Sequence, residues 1–343
     1  MRVFYHPNQT LHHPISYLSR GQMRRPQEVP TRLDGMLDGL RALELTIETP
    51  SDHGLGPIEA VHDAGYLAFL QSAYEQWKEI GQDWGEEVMS NVYVRQPNPM
   101  RGILGQAAKY LADGSCPVGK HTWTSAYWAT QSAISATQAV LEGQRSAYAL
   151  SRPPGHHARA DAAGGFCYLN YAAVAAEMLR SRYARVAILD TDMHHGQGVQ
   201  EIFYERDDVM YVSVHGDPTN FYPVVAGFEE ETGQGLGRGF NLNLPMPHGS
   251  SQEVFFDKVG QAVAALNRFK PQALVFCHGY DIYKDDPQSK VAVTTDGFNR
   301  LGAIVAGLNL PTVVIQEGGY DLASMSANTQ SFFKGFLGAD RGF

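Results

Sequence analysis

Short apolar runs that alternate with longer amphipathic segments constrain the fold of this chain more than any other feature of its sequence. Five runs are rich in the aliphatic and β-branched residues of buried strands: SAYAL (146–150), VAILD (186–190), VMYVSV (209–214), ALVFC (273–277) and TVVIQ (312–316). Three segments, 170–182, 251–269 and 296–308, have the i, i+3, i+4 apolar spacing of helices. Because strands that are apolar on both faces need cover on both, the pattern predicts an α/β fold with a mostly parallel central sheet flanked by helices on both faces.

Composition narrows the partners and the environment of the chain. Its 343 residues, 43% of them hydrophobic, are enough for one large α/β domain or for two smaller ones. A formal net charge of -9 opposes binding to nucleic acid and favours a cationic ligand. The three cysteines form no CxxC pair, the N-terminus has no leader pattern, and no 18 apolar residues run together. These features predict a cytoplasmic protein without a membrane partner.

Ionisable residues and glycines directly follow each predicted strand. In chain order the loops read SRPPGHH, DTDMHH, HGD, HGYD and QEGGY. In parallel α/β sheets such loops meet at the carboxyl ends of the strands, where ligands bind. Strand-end loops are often polar without any function, but His, Asp and Tyr from separate loops are better explained by one shared site.

The segment DTDMHHGQG, residues 190–198, predicts a metal site. Asp192 and His194 are two residues apart after a strand, so their side chains fall on one side of an extended backbone. Asp281 has the same position relative to its own strand and is the candidate third ligand. Three protein ligands leave one coordination position for water, as in catalytic zinc sites. A binuclear manganese site of the arginase kind is the alternative, but Gly196 stands where its bridging carboxylate would be.

Two adjacent histidines, His156 and His157, follow a rigid Pro-Pro-Gly turn and are candidates for acid–base catalysis. Each needs a partner on its far ring nitrogen, and Asp190 and Gln197 are the available candidates. The two glycines of EGGY let the backbone turn so that Tyr320 can donate a hydrogen bond to a developing oxyanion. The alternatives are histidines that cap a surface loop and a tyrosine that packs against its surroundings.

Two further segments differ from the strand–helix pattern. Residues 85–121 interrupt it with Pro, Gly and polar residues, and predict a long surface excursion of the kind that is often functional or part of an interface. The glycine-rich GQGLGRG at 233–239 lacks the spacing of a dinucleotide site and opens no helix after a strand. It predicts a turn that leads into a strand at FNLNLP.

Five motifs occur in a fixed order between about residues 150 and 320: RPPGHH, GGFCYLN, DTDMHHGQG, HGYD and EGGY. With them the chain resembles the zinc-dependent histone deacetylase superfamily. The stretches VHDAGYLAFL, IFYERDDVMYVSVHGDP and EETGQGLG extend the resemblance over nearly the full length and are similar to the bacterial acetylpolyamine amidohydrolase branch. The resemblance implies an arginase-deacetylase fold in a single domain over residues 1–343, with a surface insertion at about 85–121, and hydrolysis of an acetyl amide.

The resemblance also implies roles for the residues at the matching positions. One Zn²⁺ ion would be bound by Asp192, His194 and Asp281, while His157 would act as general base and then acid, His156 would assist electrostatically, and Tyr320 would polarise the scissile carbonyl. This assignment agrees with the interpretation of the same residues from their spacing.

Further positions acquire roles only from the resemblance. Phe166 and Tyr222 would be the aromatic walls of a narrow substrate tunnel, and the Gly165 carbonyl would accept the amide N–H of the substrate. Asp190 and Ser213 match residues around a structural potassium ion, K⁺.

The implied substrate is an acetylated polyamine or another small acetylated amine, and residues 85–121 would pack against a second subunit in a homodimer. The sequence departs from the relatives at two places. Gln197 occupies a position that holds Asp or Asn in most of them, and the carboxylates that meet the substrate amines have no obvious counterpart. Asp113, Glu86 and Glu87 are the candidate substitutes.

Three other functions stay open on the sequence. The first keeps the chemistry and changes the substrate to acetyl-lysine in proteins, which an open pocket mouth would allow. The second is a weakly active small-molecule binder of the same fold, prompted by Gln197. The third is a cysteine hydrolase that uses Cys167 with His157, which requires a thiolate where GFCY predicts a buried thiol.

Overall fold

The predicted apolar runs form the middle of one fully parallel sheet. The computed structural model describes residues 1–81, 84–95 and 98–340. Numbered in chain order, its strands are β1 Arg2–Phe4, β2 Tyr17–Ser19, β3 Gln22–Arg24, β4 Ile47–Glu48, β5 Ser146–Ala149, β6 Val186–Asp190, β7 Val209–Gly216, β8 Asn241–Met246, β9 Ser250–Ser251, β10 Ala273–His278, β11 Val291–Ala292 and β12 Thr312–Gln316. Among the described strands, eight lie in the order β4–β1–β5–β12–β10–β6–β7–β8, and each neighbouring pair is parallel.

The strand prediction is confirmed, and its omissions lie at the edge of the sheet. The five predicted runs are β5, β6, β7, β10 and β12, which are five consecutive strands in the middle of the spatial order. FNLNLP contributes β8, and GQGLGRG contains a short 3₁₀ turn at Gly235–Gly237. Strands β1 and β4 were not predicted because segments of three and two residues carry too few positions for a periodic signal.

Helices cover both faces of the sheet, as predicted. They are α1 Arg32–Arg41, α2 Gly56–Glu59, α3 Ala64–Glu79, α4 Gly102–Tyr110, α5 Thr122–Leu141, α6 Tyr171–Arg180, α7 Gln197–Phe203, α8 Gln252–Phe269, α9 Thr295–Gly307 and α10 Met325–Asp340. Apolar residues of α3, α4, α5 and α6 pack on one face with Ile188 and Val275, and those of α1, α8, α9 and α10 pack on the other with Leu189 and Phe276. Adjacent strand residues thus enter opposite cores, which is why these strands are apolar throughout. No helix in the described ranges combines the length and apolarity needed to cross a membrane.

The 85–121 segment includes regular secondary structure in its described residues, 85–95 and 98–121. It contains α4, its ends are joined by an antiparallel bridge between Val88 and Val118, and Ile103 is buried in the core beneath it. The Ala112 N–H donates to the Ala163 carbonyl at 2.7 Å, which anchors the end of the segment beside the GGFC loop. The extent of the domain, 1–343, stays a prediction.

Candidate active site

Three neighbouring strands deliver the predicted site to one edge of the sheet. β10 lies between β6 and β12, with Cys277 opposite Asp190 and His278 opposite Gln316. The loops that follow these three strands therefore begin at the same level. They carry DMHH, GYD and EGGY, so residues far apart in the chain meet at the carboxyl ends of the strands.

Asp192, His194 and Asp281 form a buried cluster whose potential ligand atoms all lie within 4.8 Å of one another. His194 Nδ1 is 3.0 Å from Asp281 Oδ2 and 3.3 Å from Asp192 Oδ1. Two backbone amides orient the carboxylates: the Met193 N–H donates to Asp281 Oδ1 at 3.0 Å, and the Gly318 N–H donates to Asp192 Oδ2 at 2.7 Å. The surrounding backbone thus holds the three ligand atoms close enough together to share one ion.

Electrostatics and space both suit a cation at this point. Burial and the neighbouring Asp192 carboxylate raise the pKa of Asp281 to about 8, because two close carboxylates ionise together only when a positive charge compensates them. A Cβ atom at Gly279 or Gly318 would lie 2.4 or 2.6 Å from Asp192 Oδ2, so only glycine leaves the carboxylates room there. Two carboxylates and one imidazole are a ligand set that zinc accepts.

His156 is held as a cation by two carboxylates. Its Nδ1 lies 2.9 Å from Asp190 Oδ2, and its Nε2 is 3.7 Å from Asp192 Oδ1. Burial alone would lower the pKa of His156, but Asp190 and Asp192 raise it to about 10. The Tyr211 hydroxyl donates to the same Asp190 oxygen at 3.0 Å and keeps that carboxylate in place.

His157 has the opposite character although its ring centre is only 3.9 Å from that of His156. Its Nδ1 lies 2.7 Å from Gln197 Oε1, so the longer side chain of glutamine reaches the histidine. Burial and the positive charge of His156 hold the pKa of His157 well below its usual value. Two adjacent histidines thus differ in charge, and the neutral one is free to accept a proton.

A buried arginine holds the loop that carries Tyr320. Arg32 of α1 donates from Nε to the Gly319 carbonyl at 2.5 Å and from Nη2 to the Glu317 carbonyl at 2.7 Å, and its guanidinium lies 4.9 Å from the centre of the Tyr320 ring. Its Nη1 pairs with buried Glu28 at 2.9 Å. Burial keeps the pKa of the Tyr320 phenol well above its usual value, so the hydroxyl remains a donor.

A pocket of about 640 Å³ opens over the cluster, and its lining includes His157, His194 and Tyr320. Phe166 and Tyr222 also line it, with the Phe166 ring centre 6.1 Å from Tyr320 and the Tyr222 ring centre 4.7 Å from His157.

The GGFC loop forms the other side of this pocket. Gly165 has a φ of 55°, and a Cβ there would lie 2.3 Å from His157 Cδ2, so glycine is required on both counts. Phe221, which the sequence did not single out, stacks on the ring of His194 at 4.7 Å and belongs to the same lining. Aromatic rings thus lie directly beside both His157 and His194 in this pocket.

This combination of a buried Asp–His–Asp cluster, paired histidines and a tyrosine in one pocket agrees with comparisons to known proteins. The family model described as the histone deacetylase domain matches residues 26–336. The chain belongs to the histone deacetylase family. It is accordingly an enzyme, a hydrolase of the deacetylase class.

Individual members of the family are similar to this chain over its whole length. The acetylpolyamine amidohydrolase of Burkholderia pseudomallei is 61% identical over 342 residues, which cover 100% of both chains. Acetylpolyamine amidohydrolase 1 of Pseudomonas aeruginosa is 38% identical, with 99% of this chain and 100% of that protein covered. A crystal structure of the Burkholderia pseudomallei acetylpolyamine aminohydrolase superposes with a TM-score of 0.98 at 60% identity, covering 99% of each chain. The fold is that of the histone deacetylases.

Of the three acids considered for substrate recognition, Asp113 alone reaches this deacetylase pocket. Its Oδ2 accepts from the Tyr222 hydroxyl at 2.8 Å and from the Gly165 N–H at 3.2 Å. Glu86 instead pairs with a lysine at 3.0 Å, and Glu87 accepts from a backbone amide at 3.0 Å. Because two donors already occupy this oxygen, Asp113 primarily holds Tyr222 and Gly165 in place in the pocket wall.

Glu317 is a buried carboxylate of the site to which the sequence assigned no role. Its Oε2 accepts from the Gly155 N–H at 2.6 Å and from the His156 N–H at 3.0 Å, so it fixes the turn that carries the two histidines. Burial raises its pKa to about 7. The sequence signal that could have identified Glu317 is its charge in EGGY, directly after an apolar strand. His195, by contrast, is buried beside Asn243 at 3.1 Å.

Proposed function

We propose that the chain is a zinc-dependent amidohydrolase that removes the acetyl group from acetylated polyamines or similar small amines. One observation carries the proposal: Asp192, His194 and Asp281 lie within 4.8 Å of one another at the base of a pocket that also contains neutral His157. Similarity to proteins named acetylpolyamine amidohydrolase supports the substrate class.

Zinc bound to Asp192, His194 and Asp281 would supply Lewis acidity toward the amide carbonyl and would lower the pKa of water. The side chains of the protein itself transfer the protons and stabilise the developing charge. His157 accepts a proton at Nε2 as water attacks the carbonyl, and returns it to the leaving amine. His156, positively charged beside Asp190, stabilises the negative charge that develops in the transition state.

Tyr320 and the GGFC loop position the acetyl amide. The Tyr320 hydroxyl donates a hydrogen bond to the carbonyl oxygen as negative charge grows there. The Gly165 carbonyl accepts the amide N–H, and the rings of Phe166 and Tyr222 enclose the chain of the substrate. Aromatic rings on both sides of the amide would admit a linear acetylated amine and exclude bulky groups near the amide.

The assembly and surroundings of the enzyme belong to the same proposal. A homodimer is expected to form through residues 85–121, where Val92 and Leu104 are 64% and 49% exposed. A structural potassium ion is expected beside Asp190 and Ser213, which are direct neighbours on β6 and β7. We place the enzyme in the cytoplasm because its three cysteines are free thiols.

Metal removal and a substrate panel test the proposal. Chelation, or Asp281→Ala, should abolish hydrolysis, and added Zn²⁺ should restore it only in the chelated wild type. Hydrolysis that survives both treatments would refute the zinc mechanism. Acetylputrescine, acetylspermidine and an acetyl-lysine peptide should then be compared at equal enzyme concentration, and equal or faster turnover of the peptide would refute the polyamine assignment.

The charges at the pocket mouth favour a second candidate substrate, a small acetylated amine that carries a carboxylate. Arg20, Arg24 and Arg25 line the pocket, whereas Asp113 is the single acid among the described lining residues. Arg24 lies directly across the β2–β3 hairpin from Tyr17. The ring of Tyr17 contacts that of Phe166 in the pocket lining, with ring centres 5.1 Å apart.

Two small substrates separate these candidates. N-acetylcadaverine and free Nε-acetyl-lysine share the acetylated chain, and the amino acid adds one α-carboxylate. A higher kcat/KM for N-acetylcadaverine supports the polyamine class. A higher kcat/KM for Nε-acetyl-lysine, reversed by Arg24→Glu, supports the second candidate.

A further inference from the structure

A continuous chain of hydrogen bonds joins Asp113, in the 85–121 segment, to the general base His157. His157 Nδ1 is 2.7 Å from Gln197 Oε1, Gln197 Nε2 is 3.1 Å from the Tyr222 hydroxyl, and that hydroxyl is 2.8 Å from Asp113 Oδ2. His157, Gln197 and Tyr222 are all buried or line the pocket. The chain therefore lies beside the reaction and leads away from it to a carboxylate.

The donor and acceptor chemistry of these groups permits one direction only. An ionised carboxylate accepts and cannot donate, so the Tyr222 O–H must point to Asp113. The Tyr222 oxygen is then an acceptor and takes the amide N–H of Gln197, which turns Gln197 Oε1 toward His157. An amide oxygen facing Nδ1 requires a proton there, and Nε2 is left bare.

We propose that Asp113 is a positioning residue that selects the reactive tautomer of His157 through Tyr222 and Gln197. Glutamine alone cannot make this selection, because its amide can rotate and present either an oxygen or an NH₂ group to the histidine. A rotated amide would donate to Nδ1, place the proton on Nε2 and disable the base. The inference rests on the proposed role of His157 in deacetylation.

Asp113 has its own support, which makes it a fixed reference. Its Oδ1 accepts from the Ser115 N–H at 2.8 Å and from the Ser115 hydroxyl, while Oδ2 accepts from the Gly165 N–H at 3.2 Å. Both carboxylate oxygens of Asp113 therefore accept hydrogen bonds, and Asp113 is the acceptor at which the series of hydrogen bonds from His157 ends. The 85–121 segment thereby reaches the catalytic histidine without touching it.

Tyr222→Phe removes the hydroxyl and keeps the aromatic wall. The NH₂ group of Gln197 then lacks its acceptor, and burying it unpaired costs about 1–3 kcal/mol. An unpaired buried carbonyl oxygen is tolerated better than an unpaired N–H, so the rotated amide becomes the major form and kcat falls about tenfold. Asp113→Ala should lower kcat in the same way. KM of Tyr222→Phe should change by less than about threefold, because the ring that encloses the substrate is kept.

Gln197→Glu supplies the decisive control. A carboxylate has no NH₂ end and accepts from Nδ1 in either orientation. Gln197→Glu should therefore restore most of the kcat that Tyr222→Phe or Asp113→Ala removes, to within about twofold of Gln197→Glu alone. Tyr127→Phe, which removes a tyrosine hydroxyl bound to Asp52 away from the pocket, should leave kcat unchanged. Losses that Gln197→Glu does not restore would overturn the proposal.

An NMR measurement tests the tautomer without relying on turnover. In protein labelled with ¹⁵N-histidine, the His157 signals can be assigned by their absence in His157→Asn. The proposal expects the proton on Nδ1 in the wild type and on Nε2 in most molecules of Tyr222→Phe. An unchanged tautomer in Tyr222→Phe would overturn it, even if the wild type hydrolysed no acetyl amide and the proposed function itself had failed.

Discussion

Replacing Arg32 with methionine tests whether a buried guanidinium fixes the loop that carries Tyr320. Methionine keeps much of the aliphatic volume but removes the donors to the carbonyls of Glu317 and Gly319. It also removes the positive charge beside Glu28, whose side chain is 1% exposed. The substitution therefore perturbs the site from behind, without touching the pocket.

The structure sets the expected size of the effect. Removing one partner of a buried ion pair costs about 3–5 kcal/mol, because the other charge stays buried. Glu28 retains Arg152, whose Nε is 2.9 Å away, so we expect a loss near the lower limit, about 3 kcal/mol. Arg41→Met on the same helix is the control, since Arg41 and Asp38 are 63% and 66% exposed and such pairs contribute about 0–1 kcal/mol.

Equilibrium urea unfolding of both variants measures the free energy of unfolding, and steady-state hydrolysis measures kcat. We expect Arg32→Met to lower kcat at least about tenfold, because the Tyr320 hydroxyl loses its fixed position relative to the developing oxyanion. KM should change little, since ground-state binding depends on the aromatic walls. If Arg32→Met and Arg41→Met have equal unfolding free energies and equal kcat, the guanidinium does not fix this loop.

Three further predictions concern stability and thiol reactivity. Gly198→Ala should destabilise the fold by about 1–3 kcal/mol, because its Cβ would lie 2.1 Å from a backbone carbonyl oxygen. Gly260→Ala, in open space on α8, should instead stabilise the fold by about 0.5–1 kcal/mol. Urea unfolding measures both changes. Hydrogen bonds from Arg206 and Arg180 lower the pKa of Asp208 from 3.8 to about 2. The ionised carboxylate therefore stabilises the fold relative to Asp208→Asn by about 1 kcal/mol after screening, fully above pH 4 and less as the pH falls toward 2. Unfolding measured from pH 7 to 3 should show this loss of stability at the acidic end. Burial raises the pKa of Cys167 well above its usual value, so iodoacetamide should neither label it in the native state nor inhibit hydrolysis, and rapid inactivation would favour the cysteine mechanism.

The sequence predicted the middle of the sheet because each strand there enters a core on both faces. Such strands are continuous apolar runs, and their carboxyl ends are where ionisable residues collect. Asp192, His194 and Asp281 could therefore be found by spacing after a strand. No comparable signal marks the short strands β1 and β4, or the helix α4 within residues 85–121.

The supporting residues of the site could not be predicted, for a different reason. Arg32 begins α1 and Glu28 lies in the loop before it, both far from EGGY in the chain. The role of Arg32 depends on the two carbonyls that it meets in space, and the role of Glu28 depends on its ion pair with Arg32. Asp113 was a candidate for binding substrate amines, yet the structure places it against Tyr222 and Gly165. A single polar residue has no periodicity, so its partner becomes visible only once the chain is folded.

The position of β12 has a consequence for synthesis. Among the described strands it comes last in sequence, but it lies between β5 and β10, in the interior of the sheet. A chain still on the ribosome that lacks β12 leaves the facing edges of two apolar strands unpaired, and such edges are prone to aggregation. The sheet can close only after β12 has emerged, so truncation before Thr312 should cause misfolding out of proportion to the number of residues lost.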